Sequence, residues 1–383
     1  MKQRASRLAL ACAVMCLLYG SVTLAARTPV PSPPPVGGTS YILLDHHSKR
    51  VLAAENADHR IEPASLTKLM TAYIAFSALR DGNISLDDEI VISEKAWRMP
   101  GSRMFIEVNS RVSLEELLQG MIIQSGNDAS VAIAEHVAGS EEAFVQMMNA
   151  AAQQLGLENT QFANSTGLGH SEQRTTAHDI ARLASSLIRE FPEHYGWYAV
   201  REYTYNGIRQ HNRNRLLWRD SSVDGLKTGY TESAGYNLAA SAQRDDTRLI
   251  SVVTGTRNDE ARASASYALL NYGFRFFQTH RLYSAGEELT RARVWRGARD
   301  EVALGLREDL YVTIPRGQYD DLDAYMDLES AVLAPIGPDR ETGRVQVTLG
   351  GETIADKALF PLQEVGEGGF FRRVLDDVRL WFK

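Results

Sequence analysis

Three short motifs, spread over nearly half of a 383-residue chain, limit what this sequence can fold into more than any other feature. They are Ser65-Leu66-Thr67-Lys68, Ser125-Gly126-Asn127 and Lys227-Thr228-Gly229. Taken singly each is ordinary. With 28 Ser and 7 Lys, an S-x-x-K spacing arises easily by chance. Ser65 also reads as a helix N-cap, Ser125 and Asn127 as turn residues, and Lys227 as a strand-edge charge. Taken in this order, on elements of these types, they point to a fold that gathers them at one place. A hydroxyl, a lysine three residues on and a second cation are the parts of a serine acyl-transfer site with lysine as base.

Lysine usage supports that reading. The chain has 41 cationic side chains, of which 7 are lysine, so its general positive surface is built from arginine. Two of the seven lysines fall in the motifs. Arginine keeps its proton in proteins, whereas a desolvated lysine can lose one and act as a base.

The ends of the chain speak to location. Lys2, Arg4 and Arg7 precede an apolar stretch from Leu8 to Tyr19 and small residues through Ala26. Residues 1–26 therefore read as a secretory signal peptide. Cys12 and Cys16 lie within it, leaving a mature chain without thiols. The proline-rich run 27–38 is an extended spacer. A net charge of −7 argues against a nucleic-acid partner. After the glycine-rich 366–369, the pattern predicts an amphipathic helix to residue 383. Phe371, Val374, Leu375, Val378, Trp381 and Phe382 fall on one face, with arginines and aspartates opposite. It is too short and charged to span a bilayer and reads as an in-plane membrane anchor.

Between these ends, 39–282 mixes helix and strand signals. Tyr41–Leu44 and Val51–Ala54 suggest a hairpin. Helical patterns cover Leu66–Arg80, Leu114–Ile123, Asp128–Val137, Ala143–Leu155, Asp179–Arg189 and Ala261–Phe277. Short strands at 226–228, 236–242 and 249–254 suggest an antiparallel meander. The fold class is α/β, of the α+β kind, with helices on an antiparallel sheet. Residues 283–365 then read as a small β-rich domain. No metal-ligand spacing is present: His46-His47 reads as a solvent-facing polar turn, and His136, His170 and His178 stand apart. No cofactor is expected.

The motifs, with Glu62-Pro63-Ala64, Gly207-Ile208-Arg209-Gln210, Asn212-Arg213-Asn214, Val223-Asp224-Gly225 and Ala234-Gly235-Tyr236-Asn237-Leu238, resemble the low-molecular-mass penicillin-binding proteins. These are serine-type D-alanyl-D-alanine carboxypeptidases of the bacterial periplasm. The resemblance covers nearly everything after the spacer. It implies a serine β-lactamase/DD-peptidase-like domain acting on peptidoglycan pentapeptides ending in D-Ala-D-Ala and acylated by β-lactam antibiotics. It also implies peripheral attachment to the outer face of the inner membrane through the C-terminal helix. Ser65 would be the nucleophile, Lys68 its base and Ser125 a proton relay. Asn127, Lys227, Thr228, Gly229 and Tyr230 would bind substrate, with Arg213 and Arg262 as carboxylate or cavity residues. The backbone N–H groups of Ser65 and Tyr230 would form the oxyanion hole. Tyr230 is a departure, since many relatives carry histidine there. A class A β-lactamase would need a second carboxylate, and Gln161 stands where that glutamate would be expected. A DD-endopeptidase or a weakly catalytic cell-wall scaffold would use the same groups.

Overall fold

The computed structural model describes residues 29–382; the signal-peptide reading of 1–26 lies outside them. Strand β1 (Ser40–Asp45) is buried along its whole length, as an unbroken Tyr-Ile-Leu-Leu run requires of a strand covered on both faces. It turns into β2 (Val51–Glu55), giving the expected hairpin. Far along the chain β3 (Val223–Thr231), β4 (Gly235–Arg244) and β5 (Thr247–Thr256) form the expected meander, which joins β1 through β5. The sheet order is β2-β1-β5-β4-β3, antiparallel throughout.

Helices α1 (Lys68–Arg80), α2 (Asn127–Ala138) and α3 (Ala177–Glu190) cover one face. Leu69, Phe76, Ile133, Leu183 and Leu187 share a core with Ile42, Leu44, Ile250 and Val252. Helix α4 (Asp259–Phe276) packs on the alternate strand residues. It comes so close that a Cβ at Gly273 would lie 2.5 Å from Leu249 Cδ1 and 3.0 Å from Leu43 Cδ2.

Two helices depart from the periodic pattern, and both departures fall at motifs. The pattern predicts a helix from Leu66, but Ala64–Thr67 form a 3-10 turn and α1 begins at Lys68. The Leu114–Ile123 helix starts on a reciprocal Ser113–Glu116 cap, holds to Gln119, then widens into a π-turn over Gly120–Gln124. Ser125 ends that turn with a left-handed backbone, φ +68°. One inserted residue of this kind is a recurrent device at functional sites.

Strand signals resume at Phe277, earlier than the change of composition at Tyr283. Strand β6 (Phe277–Tyr283) follows α4 directly and pairs with β9 (Leu310–Pro315). A six-stranded sheet holds β7 (Thr290–Trp295), β8 (Glu301–Gly305), β10 (Leu322–Leu328), β11 (Val332–Leu333), β12 (Gly343–Leu349) and β13 (Glu352–Pro361), in the order β10-β12-β13-β8-β7-β11. Val294, Leu304, Val312, Val345, Val347 and Leu359 form its own core. Buried hydroxyls tie the two parts together. Asp45 accepts from Thr279 Oγ1 at 2.6 Å, which lies 2.9 Å from Thr313 Oγ1, which in turn lies 2.6 Å from Ser48 Oγ.

The terminal helix α5 (Phe370–Trp381) forms as expected, but its glycine-rich approach is no free hinge. The Gly368 N–H donates to Arg296 O at 2.7 Å and the Ala298 N–H to Gly366 O at 2.8 Å. Its polar face docks: buried Asp376 accepts from the Arg296 N–H at 2.8 Å, and Asp377 pairs with the Arg296 guanidinium. The apolar face points outward, with Phe371 82%, Trp381 89% and Phe382 85% exposed.

Candidate active site

The nucleophile turn is held by two glycines. A Cβ at Gly167 would sit 1.8 Å from Ala64 O, and one at Gly229 would sit 3.1 Å from Pro63 O. Gly229 thus admits the turn preceding Ser65, and it also lines the cleft. Ala64 itself is held at φ +48°, a conformation that costs a non-glycine residue roughly 1–3 kcal/mol. Such strain persists only where the surroundings fix it, and here it presents Ser65 to the cavity.

Lys68 starts α1 directly behind that serine and is almost wholly buried. Its Nζ lies 3.1 Å from Ser65 Oγ, 2.7 Å from Asn127 Oδ1 and 2.5 Å from Thr166 O. The last two oxygens can only accept. A neutral amine satisfies them with its two protons and is left with its lone pair for the Ser65 hydroxyl. Burial, and then the charge of Arg213, bring the Lys68 ammonium down to about 7, while Asp128 opposes them.

Asn127 is fixed at both ends of its amide, since Nδ2 donates to Pro100 O at 2.7 Å. Asp128 beside it was not picked out as a site residue. Its buried carboxylate accepts from the N–H groups of Met104 at 3.0 Å and Phe105 at 2.9 Å, tying that loop to the start of α2. An acid at a helix start was the available signal. Asn164 is a second such residue: its Oδ1 gathers the N–H groups of Thr166 and Gly167 and thereby aims Thr166 O at Lys68.

Lys227 is buried on β3 opposite, donating to Thr228 O at 3.1 Å. Burial, followed by the charges of Lys68, Arg213 and Arg262, pushes it well below the ordinary lysine range. A buried cation with one carbonyl partner lacks an anion. Arg262 lines the cavity and also straps β3 to β4: its guanidinium donates to Gly229 O at 3.0 Å and Asn237 O at 3.2 Å and pairs with Asp259. Arg213 lines the cavity. Tyr230 is half exposed at the rim, its ring centroid 4.3 Å from that of Tyr236 and tilted 38° to it.

Ser65, Asn127, Arg213, Gly229, Tyr230 and Arg262 line one cleft of about 890 Å³, which also holds Ser125, Thr228, His211 and Trp218, while Lys68 and Lys227 lie buried behind its lining. Among its described lining residues the sole carboxylate is Asp259, paired with Arg215 and Arg262. Gln161 is engaged in backbone pairing with Arg174, away from the lining. His46, read as solvent-facing, is instead buried, with Nδ1 3.0 Å from Ser185 Oγ.

A buried lysine poised for neutrality beside a serine, within electrostatic reach of a second buried lysine, defines a serine acyl-transfer site. Residues 27–258 match the family described as D-alanyl-D-alanine carboxypeptidase, and 277–367 the one described as penicillin-binding protein 5, C-terminal domain. The chain belongs to the D-alanyl-D-alanine carboxypeptidase family. It is 43% identical over 364 residues to D-alanyl-D-alanine carboxypeptidase DacA of Escherichia coli K12, covering 93% of this chain and 90% of that protein. Against DacC of the same organism it is 44% identical over 373 residues, covering 95% and 93%. The crystal structure of penicillin-binding protein 5 from Haemophilus influenzae aligns with a TM-score of 0.85 at 41% identity, over 88% of this chain and all of that one.

Proposed function

We propose that this protein is a serine-type carboxypeptidase that removes the terminal D-alanine from peptidoglycan stem peptides. The observation that carries the reading is the three-oxygen setting of Lys68 Nζ, with Ser65 Oγ as the one partner able to give it a proton. Ser65 Oγ attacks the carbonyl between the two D-alanines and its proton passes to Lys68. The N–H groups of Ser65 and Tyr230 receive the oxyanion. The C–N bond then breaks, and the departing D-alanine nitrogen takes a proton delivered through Lys68 and Ser125. Water attacks the ester, returns a proton by way of Lys68 and frees Ser65. The substrate's terminal carboxylate supplies the anion that Lys227 lacks, with the Thr228 hydroxyl as second donor.

β-Lactams enter the same chemistry, but the broken ring keeps the leaving nitrogen tethered. Among the described lining residues no carboxylate is left unpaired to activate water, so the acyl-enzyme is long-lived. The test is D-alanine release from a peptide ending in D-Ala-D-Ala, with Ser65→Ala alongside. Release that disappears in the variant supports the mechanism, and its persistence excludes Ser65 as nucleophile.

The outward apolar face of α5 supports a peripheral seat on a membrane surface, and the charge and apolar pattern of 1–26 supports export to the periplasm. Among the described residues no helix is long and apolar enough to cross a membrane. Removing residues after Val365 releases the protein from membranes with activity in solution intact. Continued sedimentation with membranes would refute the anchor.

A further inference from the structure

A second cleft, of about 410 Å³, lies between α3 and the β1–β2 turn. Its cationic lining is Lys49, Arg182 and Arg189, with His178 and the hydroxyls of Ser185 and Ser186 beside them, and no carboxylate among the described lining residues. Most arginines of this acidic chain are met by a carboxylate. Among the described residues neither Lys49 nor Arg182 has one: the Lys49 Nζ donates to His46 O and Ser185 Oγ, each at 2.6 Å, and Arg182 to Gly156 O at 2.9 Å. Arg189 shares its charge with Glu190 at the surface, and His178 Nδ1 lies 3.0 Å from Asp58 Oδ1.

The turn presents Lys49 through a left-handed backbone, φ +62°, which points its chain back across α3. Burial, and then the nearby Arg189, bring its ammonium down to about 8. Asp45 and Glu308 oppose that shift from outside the lining, and Glu190 meets Arg189 at the surface, but within the cleft Lys49, Arg182 and Arg189 repel one another and an arriving anion would relieve that repulsion. Arg182 and Arg189 are seven residues apart on one helix face, about 10 Å along the axis. Serine hydroxyls fill the gap, so the donors form a row rather than a point.

We propose that this cleft is a second ligand site, for a molecule or chain end carrying two or more oxyanion groups, carboxylate or phosphate. It is separate from the serine cleft and does not depend on the peptidase reading.

The test is titration calorimetry of the full chain at low salt with two probes: inorganic pyrophosphate, and a peptidoglycan disaccharide-tripeptide lacking the terminal D-alanines. Wild type is compared with Lys49→Ala/Arg182→Gln and with Lys227→Ala. The expected result is binding that weakens at least about tenfold in the double variant, survives Lys227→Ala and fades with added salt. Which probe binds identifies the oxyanion source. Binding lost only in Lys227→Ala would place the anion in the serine cleft and overturn the proposal, as would no binding of either probe. Arg182 is exposed, and Arg182→Gln alone, checked by an unchanged melting temperature, separates lost binding from lost folding. D-alanine release by the double variant stays at the wild-type level, so a failure of the peptidase reading would show separately.

Discussion

At the residue scale the serine cleft depends on one proton. As the proposed base, Lys68 must act when neutral, and its setting brings it down to about 7. Acylation of Ser65 by a β-lactam therefore rises with pH through a midpoint near that value and levels off above it. Stopped-flow acylation rates from pH 5 to 9 check this, and a flat profile would remove Lys68 as the base. Ser65, Lys68 and Lys227 were legible in the sequence because the chemistry demands those side chains and few others. What completes the base was not. Thr166 contributes a backbone carbonyl, which any residue carries, and Asn164 aims it from two positions away. Arg262 shows the converse: its type suggested a cavity residue, and it does line the cleft, but its bonds to two strand carbonyls, which strap β3 to β4, had no signal in the sequence.

At the scale of elements, hydrophobic period located the helices and the meander but not the local windings that serve the site. The 3-10 turn at Ser65 and the π-turn before Ser125 depend on contacts with Gly167, Gly229 and the 104–106 loop, all distant in sequence. Periodicity likewise divided α5 into two faces without saying which one meets the protein. The charged face docks because buried Asp376 satisfies a backbone N–H that no strand partner reaches. Replacing it in Asp376→Ala leaves that donor unpaired, a cost of about 1–3 kcal/mol. Hydrogen exchange over 370–381 then speeds up while that of β3–β5 stays unchanged. Unaltered protection of α5 would show the Arg296 contact to be incidental.

At the scale of the whole molecule, the peptidase sheet and the β-rich sheet are joined by buried hydroxyls and a buried carboxylate rather than by a loose tether. His47 adds a ring stacked 4.5 Å from Tyr311, and Arg50 reaches Thr313 O. Thr279→Val deletes the hydroxyl that donates to Asp45 and accepts from Thr313, and we expect it to lower stability by about 1–3 kcal/mol, read as a depressed thermal melt. An unchanged melt would assign the junction to apolar packing instead. The docking of α5 has a further consequence of scale. Because the helix is bonded to its sheet by its polar side, seating its bare side on lipid makes the chain a stalk of set height. Its serine would then sweep a thin layer parallel to the bilayer, so a lateral search in two dimensions, at one depth of the wall, replaces a search through a volume.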